Sequence, residues 1–117
     1  MSDYGETVIF KNRFYGVSTN FTKDKNELLE NSPVNFKKGK NARSDEHLEM
    51  FSEKSFDQND HSKYLIHENI ENLKGLEIEL VYEWNLGDLL IFDRTNLHCS
   101  SSNIKKKKVG LTTFTKK

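Results

Sequence analysis

Leu76, Ile78, Leu80, Tyr82 and Trp84 alternate with Glu77, Glu79, Val81 and Glu83. A period of two over nine residues is the pattern of a strand with one face buried, and it constrains this chain more than any other feature. Leu86-Gly87-Asp88 then supplies a turn, because glycine accepts the backbone angles of a tight reversal. Leu89 to Phe92 is continuously apolar, as a strand covered on both faces is. The two segments are expected as adjacent antiparallel strands, with the short turn fixing their register and Trp84 substantially buried. By the same pattern Trp84 and Phe92 are core residues. His98 comes five residues after Asp93, past the expected end of the second strand, where functional side chains tend to be displayed.

After His98 the chain breaks at Ser100-Ser-Ser-Asn103 and resumes as a strand-like run from Lys105 to Thr115. On such a strand Lys108, Gly110 and Thr112 share one face, with Val109, Leu111 and Thr113 on the other. A long cation followed by two small positions leaves open space beside a positive charge, which suits a small carboxylate.

Gly87-Asp-Leu-Leu-Ile-Phe-Asp, then Leu97-His98, then a basic residue ten positions later, resembles the distal motif of iron(II)/2-oxoglutarate-dependent dioxygenases. The likeness is to the phytanoyl-CoA-hydroxylase-like branch. It covers Gly75 to Thr115 and extends more weakly over Thr7 to Gly16. The resemblance implies a two-His-one-carboxylate iron site in which His98 is the distal ligand, leaving positions for co-substrate and oxygen. It also implies that Lys108, helped by Thr112, holds the far carboxylate of 2-oxoglutarate. Lysine stands where the family usually has arginine, and an ammonium cannot form the bidentate fork. The activity so implied is hydroxylation of an aliphatic C–H of a small-molecule substrate. The implied fold is a double-stranded β-helix, or jelly roll, with two short helices inserted before Leu76.

About five strands can be placed, whereas a closed double-layer jelly roll uses about eight. The 117 residues therefore read as one domain, or as the C-terminal half of a jelly-roll domain. By the likeness, the chain begins after the His-x-Asp pair that would supply the first two iron ligands. Zero net charge argues against a dedicated nucleic-acid or membrane-surface protein. No stretch has the apolar length of a membrane span, and the first residues have no signal-peptide character. The single cysteine, Cys99, excludes an internal disulfide and fits a reducing, cytoplasmic setting.

Thr7 to Arg13 is β-branched and aromatic and reads as a strand, with Val17 to Thr22 as a shorter one. Lys23 to Arg43 is polar and reads as a long loop, of the kind that serves as a lid or stays disordered. Ser44 to Phe51 opens like a helix, with an N-cap residue and early acids. Ser55-Phe-Asp-Gln58 is a capping-box pattern whose helix should run to about Leu65, burying Phe56, Tyr64 and Leu65.

His47-Leu48-Glu49 has the spacing of a ligand pair, but on a helix the two side chains diverge by about 200°. They are expected to point away from His98. His61 and His67 read as exposed or capping residues, Cys99 as a small packing residue, and Arg94 as the partner of a structural carboxylate. Lys105 to Lys108 would point to both faces of a strand, so they make no phosphate-tracking stripe. Three readings follow. One is an oxygenase-like protein without turnover as an isolated chain. The others are a non-catalytic β-sandwich interaction module, and a subunit that needs a second chain for the first two iron ligands.

Overall fold

The computed structural model describes residues 3–16, 51–107 and 109–113. The expected short strand at 17–22, the loop at 23–43 and nearly all of the helix opening at Ser44 lie outside them. The described fold is mainly antiparallel β: strand β1 (Glu6–Arg13), helix α1 (Gln58–Tyr64), a 3-10 turn (Ile70–Leu73), β2 (Ile78–Glu83) and β3 (Asn96–Ser100). The sheet order is β2-β1-β3, so the first strand lies at the centre.

Alternation within β1 sets the two faces. Val8 and Phe10 point into the core, where Phe56, Leu65, Leu73, Leu76 and Leu97 join them. Thr7 and Ile9 point the other way. Phe10 and Phe56 meet edge to face at 6.3 Å, a favoured aromatic geometry. Helix α1 is capped by Asp57, whose carboxylate accepts the Asp60 N–H at 2.9 Å. The expected helix is therefore present and ends at Leu65, though the cap is Asp57 and not Ser55. Phe56 and Leu65 are buried, and Tyr64 packs against the same cluster.

Two asparagines hold β1 where its pairing becomes irregular, after Ile9 on both sides. Asn12 accepts the Glu77 N–H at 2.8 Å and donates to the Gly75 carbonyl at 2.9 Å. Asn96 donates to the Phe10 carbonyl at 2.8 Å. Side-chain amides thus satisfy backbone groups that a regular ladder would have paired.

Several expectations are corrected. The alternating segment is a strand, Ile78–Glu83, but its partner is β1 rather than Leu89 to Phe92. Residues 89–92 form no strand, and Leu89 and Ile91 are about four-fifths exposed. An apolar run of four cannot by itself show whether a sheet will cover it. Here β1 pairs on both sides, with β2 and β3, and the run is left outside the sheet. The turn itself is real: Gly87 has φ +85°, and the Asp88 carboxylate accepts the Asn85 N–H at 2.8 Å. Phe92 is 37% exposed and lies outside the core. Trp84 is half-buried on the face opposite the core, where its indole N–H donates to Thr7 Oγ1 at 2.7 Å.

The final strand is corrected as well. Residues 105–107 and 109–113 carry no strand. The Asp3 carbonyl accepts the N–H groups of both Lys105 and Lys106, and the Asp3 carboxylate meets the Lys106 ammonium at 3.0 Å. Those contacts turn the segment onto the start of β1 instead of extending it beside the sheet.

Candidate functional site

His98 lies inside β3, not beyond the end of a strand. The correction follows from the shift of the strand itself from 89–92 to 96–100. Asp93 makes the turn that feeds β3: its carboxylate accepts the Thr95 N–H at 2.8 Å and the Thr95 hydroxyl at 2.7 Å. Arg13 reaches the same carboxylate at 3.2 Å. The Thr95 backbone and hydroxyl, then Arg13, hold the Asp93 carboxyl down at about 2. The carboxylate next to Arg94 is thus held by an arginine from β1.

Leu97 and Cys99 face the core, so His98 faces away from it and is exposed. Its cross-strand partner is Ile9, which in turn pairs with Leu80 of β2. Around them on this face stand Tyr82 and Trp84, edge to face at 5.0 Å, and Phe92, edge to face with the His98 ring at 4.8 Å. The His98 Nδ1–H donates to the Asn96 carbonyl at 3.1 Å. A carbonyl can only accept, so in the neutral ring the proton sits on Nδ1 and the lone pair on Nε2. Metal-binding histidines are oriented by bonds of this kind.

The rest of the expected constellation is not assembled by the described residues. Thr112 is exposed and in no strand, while Lys108, His47 and Glu49 lie outside the described residues. His61 donates through Nε2–H to the Glu68 carbonyl at 2.7 Å, and His67 approaches the Glu68 carboxylate at 3.7 Å. His67 is exposed, as expected, whereas His61 is partly buried within α1. Among the described residues no three His, Cys, Asp or Glu side chains come together to hold a metal ion. A facial triad needs three protein ligands. The described residues bring no such set together.

One feature was not anticipated from the sequence. Glu6 is buried at 2% exposure, and its carboxylate accepts the Ser101 hydroxyl at 2.6 Å and the Asn103 amide at 3.2 Å. Asn103 also donates to the Lys63 carbonyl at 2.9 Å, and Ser102 to the Tyr64 carbonyl. The serine-rich break thus latches the start of β1 to the end of α1. Its sequence signal was the cluster of short hydrogen-bonding side chains, which reads equally well as a solvated loop. Cys99 packs against the core, as its reading as a small packing residue expects, and burial, with a smaller contribution from the Glu68 charge, pushes its thiol up to about 12. That is the behaviour of a packing residue rather than a nucleophile.

Among the described residues no helix is long and apolar enough to cross a membrane. No protein-family model, curated protein or solved structure matches this chain.

Proposed function

We propose that this chain is an oxygenase-like β module, one layer of a jelly-roll fold, that offers His98 to a metal site which a second chain completes. The reading rests on one observation: His98 stands on the face opposite the helix-packed core, with Nδ1 tied to Asn96 and the lone pair on Nε2. In a two-layer β fold the second sheet packs against such a face. Lys108 and Thr112 keep the role that the motif implies, holding the distal carboxylate of 2-oxoglutarate. A small-molecule substrate would be hydroxylated only in the completed assembly.

A non-catalytic interaction module is the second reading. It is favoured by apolar surface on that face, where Leu80 and Phe92 are 43% and 37% exposed. Cobalt(II), a spectroscopic substitute for iron(II), separates the two. On the first reading, titration broadens the imidazole resonances of His98 before those of His61 and His67, and His98→Ala abolishes the effect. An unperturbed His98 overturns that reading and leaves the interaction module. Succinate release with iron, ascorbate and 2-oxoglutarate is expected to be no greater for the isolated chain than for His98→Ala. Turnover above that control would show that the chain carries its own complete ligand set.

A further inference from the structure

The zero net charge of the chain is the sum of two unlike parts. Residues 94–117 hold seven of the 18 Lys and Arg residues and none of the 18 Asp and Glu. Four of those cations are consecutive, Lys105 to Lys108. Apolar residues bracket them, Ile104 before and Val109 and Leu111 after. A charge asymmetry of this kind points to an anionic partner even where the total vanishes.

The base of this segment is fixed and its side chains are open. Ser101 and Asn103 are bonded to Glu6. Ile104 lies against Gly5, where a Cβ would stand 2.7 Å from Ile104 Cγ1. The Asp3 carbonyl then takes the N–H groups of Lys105 and Lys106. Alternation along a strand would have split the lysines between two faces, but residues 104–107 form no strand. Lys105, Lys106 and Lys107 are all exposed, and the Asp3 carboxylate, 3.0 Å from the Lys106 ammonium, offsets one charge of the three. Ile104 is 45% exposed, and Val109 and Leu111 are each 90% exposed. Nucleic acid and lipid headgroups both present anionic phosphates, so the residues beside the cations decide between them. Single-stranded nucleic acid is held by aromatic rings on which bases stack, and residues 104–113 contain none. Open aliphatic side chains instead gain cover at the boundary of headgroups and acyl chains, while lysines meet the anionic headgroups.

We infer that Ile104, Lys105, Lys106, Lys107, Val109 and Leu111 form a docking surface for a bilayer containing anionic phospholipid. The lysines supply the attraction, and Val109 and Leu111 enter the apolar boundary. The inference does not rest on His98 being a metal ligand.

Co-sedimentation of the full chain with vesicles tests it. The chain is expected to pellet with vesicles of mixed phosphatidylcholine and phosphatidylserine and to stay in solution with phosphatidylcholine alone. Each lysine beside such a surface strengthens binding about fivefold, so Lys105→Ala with Lys107→Ala should weaken it about 25-fold. Val109→Ser with Leu111→Ser should weaken binding and leave its salt dependence intact. Lys11→Glu, near the far end of β1, is expected to bind like the parent. A parent that ignores the anionic vesicles, or that prefers single-stranded RNA to them, overturns the proposal. So does either folded double variant that binds as tightly as the parent. If a double variant loses the parent's circular dichroism, the parent's own salt titration decides. Binding undiminished at about 1 M salt, where the Debye length is about 3 Å, overturns the docking surface.

Discussion

The two faces of the sheet are made by the same strands and meet different ends. On one, Val8, Phe10 and Leu97 lie under Phe56, Leu65, Leu73 and Leu76, and the seven form a single buried cluster. On the other, Ile9 is buried between neighbours that stay partly open, with Leu80, Phe92 and His98 all exposed. The first face is closed by segments that arrive more than forty residues after β1. The second is held by pairwise contacts between aromatic rings and by single hydrogen bonds. The contrast separates what keeps the fold together from what the fold can offer a partner.

The largest expected difference between the faces is in stability. Phe10→Ala should cost about 3–5 kcal/mol, the range for a fully buried phenylalanine. Phe92→Ala should cost about 1 kcal/mol or less, since its main specific contact is one edge-to-face pair. Urea unfolding of both variants measures this, and equal losses would mean that the second face is as much a core as the first. Next is the latch at the margin of the core. Glu6→Leu leaves the Ser101 hydroxyl and the Asn103 amide without their shared acceptor and should cost about 1–3 kcal/mol. The same unfolding assay, with Ser101→Ala as the smaller change, reads it.

Smaller effects report on the environment of single groups. Cys99 faces the core with its thiol pushed up to about 12, so the folded chain should resist alkylation at pH 8 and become reactive only in denaturant. Fast labelling under native conditions would place Cys99 on the open side. The smallest is the acid sensitivity of the turn before β3. Asp93 is held at about 2 in the fold against an ordinary value of 3.8. A depressed carboxyl stabilises the fold above its unfolded pKa and loses that contribution as pH falls through the folded one. Wild type should therefore exceed Asp93→Asn in stability at pH 6, and the gap should close between about pH 4 and pH 2. A constant gap across that window would separate the turn from the titration.

Two strands were legible from local pattern. The alternation from Leu76 to Trp84 and the β-branched run from Thr7 to Arg13 each carried a period or a composition that few other structures satisfy. The helix ending at Leu65 was legible too, because caps and helical spacing are local. Leu89 to Phe92 misled because four apolar residues have no period. Their burial depends on whether an edge of the sheet is free to receive them. His98 was singled out by its flanks, whereas its place within a strand depended on where the preceding turn closed, at Asp93 and Thr95.

By itself the sequence determined which segments alternate, where the chain must turn, and that the chain is rich in β structure. These follow from backbone sterics and from the period of side chains along a strand. Only the tertiary structure decided that β1 is central, with β2 and β3 on either side. Pairing partners are chosen by contacts between residues 68 to 93 positions apart, and no local pattern encodes which edge a strand will find. That choice buried Glu6 against Ser101, turned Cys99 inward, and set His98 on the open face.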